Sequence, residues 1–172
     1  MVVIGILAVL LAILLPVMVK VRNSQRSVQC IGNLRKISSA LHAYSLDNEG
    51  RLPDPGVADK SWEQMIQKYY PIPFQCPSDT ELFPAVGSSY DWRDTGKSTT
   101  TMAGRTTADV QRGDAILAFE ALSGWHAKGY INVVRVDGSA ETIEDELCFK
   151  DLATALREGD ETIISKQNTA RR

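Results

Sequence analysis

The chain has 172 residues, 44% of them hydrophobic and 7% aromatic, with three cysteines and a formal net charge of -2. Acids and bases are interspersed, so no broad basic face exists for a phosphate backbone, and nucleic acid is not an expected partner. About 150 residues follow an apolar start, enough for one core and too few for a second large domain.

Met1 to Val19 carries no charge. At about 1.5 Å per residue such a helix spans roughly 28 Å, close to the ~30 Å hydrocarbon core of a bilayer, so residues 1–19 are expected to form a transmembrane segment. A cleaved secretory signal is the competing reading. It is disfavoured because no Lys or Arg precedes the run and Leu14–Val19 offers no small-residue cleavage pattern. Lys20, Arg22, Arg26, Arg35 and Lys36 then place five positive charges before the first acid, Asp47, near the depth of lipid headgroups.

No Gly or Pro lies between Pro16 and Gly32, so the helix is expected to continue. Cys30, Leu34, Ile37, Leu41 and Tyr44 recur at spacings of four and three on one face, while Arg35, Lys36, Ser38, Ser39 and His42 take the others. Asn48, Glu49 and Gly50 supply a stop, and Pro53 and Pro55 prevent resumption. The expectation is one helix of about 47 residues, with residues 20–50 as its amphipathic continuation. Its stripe should pack on its own domain, because two heptads are too few for a coiled coil.

Residues 51–165 are expected to form the globular part, ending in a polar tail at 166–172. Ser61 to Tyr70 reads as a short capped helix that Pro71 and Pro73 end. Ser88 to Trp92 is a short strand, and Asp94 to Gln111, rich in Thr, Gly and charge, a long surface loop. Asp114 to Glu120 reads as a buried strand. Tyr130 to Val136 and Ser139 to Ile143 are paired across the hairpin turn Asp137-Gly138, with Asp137 expected at the positive φ of a type I′ turn. Glu144-Asp145-Glu146 opens a last helix through Leu147, Leu152, Ala155 and Leu156 to Gly159. The fold class is therefore α+β, a long N-terminal helix packed on a small antiparallel sheet.

Candidates for chemistry are few. His126 precedes Asp137 by eleven residues, and His42 is the other histidine. No second carboxylate or nucleophile with recognisable spacing accompanies that pair, so no catalytic residue is assigned and Asp137 is given to its turn. Trp92, Trp125 and Tyr130 could face a partner or the core; a Trp in a small domain belongs more often to the core, and no binding residues are assigned. Cys30, Cys76 and Cys148 contain no C-x-x-C pair, so neither zinc nor thioredoxin chemistry is expected.

The run Val2-Val3-Ile4-Gly5-Ile6-Leu7-Ala8-Val9-Leu10-Leu11-Ala12-Ile13-Leu14-Leu15-Pro16 before a polar helix resembles the N-terminal helix of type IV pilins and type II secretion pseudopilins. Cys30-Ile31-Gly32-Asn33-Leu34-Arg35-Lys36-Ile37, Ala40-Leu41-His42-Ala43-Tyr44 and Asp47-Asn48-Glu49-Gly50-Arg51-Leu52-Pro53 resemble the next stretch of the large pilin-like families of planctomycetes and their relatives. Phe74-Gln75-Cys76-Pro77-Ser78-Asp79, Ser88-Ser89-Tyr90 and Asn132-Val133-Val134-Arg135-Val136-Asp137-Gly138 have counterparts there in the same order. The resemblance implies a pilin-like ladle and a non-enzymatic subunit of a type IV pilus-like or type II secretion pseudopilus filament. Implied partners are copies of itself, other pilin-like subunits, the inner-membrane machinery and the bilayer. The implied location is single-pass in the inner membrane, with the C-terminal domain periplasmic or in an extracellular filament.

The chain also departs from that pattern. In the family a basic leader ending in Gly precedes Phe-Thr-Leu-Ile-Glu-Leu, and a peptidase cuts after the Gly and methylates the new terminus. That stretch is not in the sequence, so Met1 is expected to be an internal start or the end of a shortened chain. The basic residues after Val19 alone would place the domain in the cytoplasm by the positive-inside rule. A basic leader upstream would cancel that asymmetry, which favours the periplasmic side. The family's histidine also stands one residue nearer the Asp-Gly turn than His126 does.

Some major pseudopilins hold Ca²⁺, for which Asp79, Asp91, Asp94 and Asp109 are the loop carboxylates here. They lack EF-hand spacing, so solvated acids and no cofactor are expected, with calcium the one candidate ion. In an oxidising periplasm Cys30 and Cys76 could form a disulfide, the alternative being buried free thiols. The alternative function is a single-pass, membrane-anchored periplasmic binding or sensor domain that does not polymerise.

Overall fold

Helix α1 (Val2–Asp47, 46 residues) runs through Pro16 without a break. In the computed structural model, residues 2–94, 101–106, 110, 113–148 and 150 are described, with the side chains of 2, 5, 8 and 9 outside that description. The helix stops where its sequence changes: Gly50 N–H donates to the Ser45 carbonyl at 2.7 Å, and Glu49 and Gly50 take φ of 56° and 77°. This left-handed exit satisfies carbonyls that the last turn leaves without partners.

The fold is α+β, a long N-terminal helix and a four-stranded antiparallel sheet in the order β1-β2-β3-β4. The strands are β1 (Tyr90–Trp92), β2 (Ile116–Glu120), β3 (Tyr130–Arg135) and β4 (Ala140–Glu144). Leu34, Ile37 and Leu41 are fully buried, and they belong to one core with Tyr90, Trp92, Leu117, Ala118 and Val134 from the sheet. Ile116, Phe119, Ile131, Val133 and Cys148 form a second cluster. A register shift between Ile116 and Ala118 lets the adjacent residues Leu117 and Ala118 both join the helix-side core, which strict alternation would forbid.

Three short helices connect these layers: α2 (Pro55–Ala58), α3 (Trp62–Ile66) and α4 (Leu82–Val86). The helix expected over Ser61 to Tyr70 contracts to α3, with Ser61 and Gln64 forming a reciprocal capping box. Tyr69 and Tyr70 close a final turn on the Ile66 carbonyl before Pro71. Trp62, Tyr70, Phe74 and Trp92 form a connected set of ring contacts, so Trp92 is core; Trp125 packs at the core's margin and Tyr130 is exposed. The Tyr70 hydroxyl is buried without a hydrogen-bond partner among the described residues, and burial pushes its pKa up to about 12. Tyr70→Phe is therefore expected to raise the unfolding free energy by about 1 kcal/mol, measured by urea unfolding, because it removes an unsatisfied polar atom while keeping the ring.

Asp79, 2% exposed, organises the segment before β1. Its carboxylate accepts the backbone N–H groups of Glu81, Leu82 and Phe83 at 2.8–3.0 Å and the Ser89 hydroxyl at 2.6 Å. Burial acts to raise its pKa, but the Ser89 hydroxyl and those three N–H groups outweigh it, and the pKa falls below the usual carboxylate value. The resulting stability is complete above the unfolded value of about 3.9 and is lost as pH falls through the lower native value. Urea unfolding between pH 6 and 2 should show this loss, and Asp79→Asn should flatten it.

Several expectations are corrected. The segment expected as a surface loop from Asp94 to Gln111 contributes a fully buried Met102 and a β-bridge between Arg51 and Thr106; residues 95–100, 107–109 and 111–112 lie outside the described residues. The β3–β4 turn is not type I′, since Gly138 alone of its pair has positive φ, at 83°. Gly138 N–H closes on the Arg135 carbonyl at 3.0 Å, so Val136 and Asp137 are the central turn residues and Gly138 takes the left-handed position after them. Asp137 instead accepts the Ser139 N–H and hydroxyl at 2.8 and 2.6 Å. Glu144 ends β4 rather than opening a helix; residues 145–148 are helical, and the remainder of that expected helix and the 166–172 tail lie outside the described residues.

Candidate functional site

Two features stand apart from the ordinary core. The first is the outer part of α1. From Val3 to Val21 the described large apolar side chains are 44–68% exposed, and the helix first becomes fully buried at Cys30. Residues 2–26 therefore project about 37 Å beyond the domain at ~1.5 Å per residue. Among the described residues no helix is long and apolar enough to cross a membrane. The full sequence is uncharged from Met1 to Val19.

The second feature lies where α1 enters the domain. Cys30, on α1, and Cys76, in the loop after α3, are joined as a disulfide with Cα atoms 5.5 Å apart. The loop reaches the helix because Asn33, one turn beyond Cys30, donates through Nδ2 to the Gln75 carbonyl at 3.2 Å and to the Tyr90 hydroxyl at 3.1 Å. Glu120, the last residue of β2, and His126, from the loop between β2 and β3, complete the group. His126 Nε2 lies 3.3 Å from Cys76 Sγ and 3.0 Å from Glu120 Oε1, and its Nδ1 lies 3.3 Å from Ser78 Oγ.

Glu120 is 1% exposed. Asn132, its neighbour on β3, donates its backbone N–H to Oε2 and its side-chain amide to Oε1, both at 3.0 Å. Thr142 on β4 donates to Asn132 Oδ1 at 2.6 Å, and Asn132 Nδ2 reaches Ser27 Oγ on α1 at 3.4 Å. A polar chain thus runs from β4 through β3 to α1 beside the disulfide. The four groups Cys30, Cys76, Glu120 and His126 present ligand atoms within 4.8 Å of one another.

The structure separates the other residues considered from sequence. Asp79 is engaged as above, Asp91 Oδ1 accepts the Trp92 N–H, and Asp94 Oδ1 accepts the Thr101 hydroxyl. Asp109 lies outside the described residues. Asp137 and Gly138 sit in the exposed β3–β4 turn, away from His126, and His42 Nδ1 lies 2.8 Å from the Ser38 carbonyl within α1. Sequence reasoning missed Glu120 and the approach of His126 to it. The available signal was an acid ending an otherwise apolar strand, Ile116-Leu117-Ala118-Phe119-Glu120, six residues before a histidine. Comparison with family models, curated proteins and solved structures yields no match.

Proposed function

We propose that this chain is a non-enzymatic structural subunit of a type IV pilus-like or type II secretion pseudopilus filament. Residues 1–19 hold it in the inner membrane as a single pass, with the C-terminal domain on the periplasmic side until assembly. The observation that carries this reading is the outer stretch of α1 up to Val19, which projects beyond the domain, carries no charge and exposes its described apolar side chains. A helix apolar all round requires lipid or protein around it. In the membrane that cover is lipid. On assembly it is the same surface of neighbouring subunits, so burial is exchanged rather than lost, and close packing between helices favours the exchange.

The long helix with a small sheet on its far half supports the ladle form, as does the resemblance of the sequence to pilin-like proteins. The Cys30–Cys76 disulfide and the Asn33 contacts tie the domain to the helix at the point where it leaves the core, as a subunit pulled by its helix requires. A non-polymerising anchored binding or sensor domain is the alternative. Reading the coding DNA upstream of Met1 tests between them. An in-frame Gly-Phe-Thr-Leu-Ile-Glu-Leu is expected; an in-frame stop directly upstream would overturn the filament reading in favour of the tether.

A further inference from the structure

The geometry points to a redox-gated metal site: in their dithiol form Cys30 and Cys76, together with His126 Nε2 and Glu120 Oε1, bind one tetrahedral divalent ion of the zinc class, in exclusion of the disulfide. A disulfide needs only its two cysteines. Nothing in its chemistry calls for a fully buried carboxylate and an imidazole against its sulfur, yet both are here. Burying a carboxylate costs several kcal/mol unless it is well compensated. Among the described residues Glu120 Oε1 meets His126 Nε2 at 3.0 Å, and the other nitrogen donors to its carboxylate are the two neutral groups of Asn132. A dication would meet that cost directly.

The donor set selects the class of ion. Two thiolates and an imidazole are borderline-soft ligands that suit Zn²⁺, whereas Ca²⁺ and Mg²⁺ require shells of oxygen. Ligand bonds of about 2.0–2.3 Å in a tetrahedron place ligand atoms roughly 3.3–3.8 Å apart. Cys76 Sγ to His126 Nε2 is already 3.3 Å and Cys76 Sγ to Glu120 Oε1 is 3.8 Å, so these three groups stand at ligand spacing, while the two bonded sulfurs must separate. The supporting contacts also fit. Ser78 Oγ engages His126 Nδ1 and leaves Nε2 facing inward, and Asn132, itself held by Thr142, orients the Glu120 carboxylate. Outer partners of this kind fix the orientation and tautomer of metal ligands.

The redox step balances through thiol–disulfide exchange. A dithiol reductant gives two electrons and two protons to the Cys30–Cys76 bond and becomes a disulfide itself; metal binding then releases the two cysteine protons. Oxidation by a disulfide reverses the sequence and ejects the ion. The site lies where α1 enters the domain, so either state crosslinks helix and loop, one covalently and one through the metal.

The test uses the full chain in detergent, oxidised or reduced with a dithiol that is then removed anaerobically. Each form is titrated with Zn²⁺ against a chromophoric chelator, and Tm is measured with and without the ion. The expected result is one Zn²⁺ per reduced chain, a higher Tm for that form with zinc, and no such binding or shift for the oxidised form. His126→Ala and Glu120→Gln should each weaken zinc binding by at least about tenfold. Equal zinc uptake by the two forms, or reduced-chain binding that His126→Ala leaves unchanged, would overturn the assignment. Should the variants fail to fold, the wild-type comparison decides it: a reduced chain whose Tm zinc does not raise has no such site.

Discussion

Replacing Cys30 and Cys76 together with serine is expected to lower the unfolding free energy of the oxidised protein by about 4 kcal/mol. The two cysteines are 46 residues apart, and a crosslink closing a loop of that size removes roughly this much chain entropy from the unfolded state. The penalty is large against the 5–15 kcal/mol typical of whole domains. Urea unfolding of the oxidised chain and the double variant measures it. Non-reducing mass mapping of the wild type should recover a peptide pair joined through Cys30 and Cys76. A double variant with wild-type stability would mean that the native contacts around Asn33 hold the loop to α1 unaided.

Leu34→Ala carries the second large effect. Leu34 is fully buried on the face of α1 that packs against Tyr90, Trp92, Leu117 and Val134, and shortening it leaves a cavity between helix and sheet. Lost transfer energy and cavity together cost about 2–5 kcal/mol at such sites. Leu46 lies on the same helix but is 83% exposed, so Leu46→Ala should change stability by less than about 0.5 kcal/mol. The contrast matters because both leucines have the same helix propensity; only tertiary packing distinguishes them. Comparable losses at the two positions would contradict the helix–sheet interface.

Much of the frame is readable from local pattern. The spacing of Cys30, Leu34, Ile37 and Leu41 marks the buried face of α1, and Asn48 to Gly50 mark its end, because periodicity and left-handed caps are properties of a few adjacent residues. Strands β2, β3 and β4 fall within a residue or two of their apolar runs. The failures share a non-local cause. Met102 is buried in a segment that Thr106 ties to Arg51, far apart in sequence, and a Thr- and Gly-rich segment carries no sign of either contact. The Asp137-Gly138 pair suits two turn geometries; the one adopted places Asp137 to accept from Ser139. The cluster at Cys30, Cys76, Glu120 and His126 draws on a helix, a loop, a strand end and a second loop, so no spacing rule joins its members. Its members meet only when α1 lies on the sheet and the Cys76 loop folds back.

The proposed assembly surface is the outer stretch of α1. The most direct measurement places a photo-reactive side chain at Ala12 in the full chain, in cells whose pilus or secretion machinery is running, and resolves the products after irradiation. A ladder of covalent multimers joined helix to helix is the predicted result. Monomers alone, in membranes where the machinery is active, would contradict it.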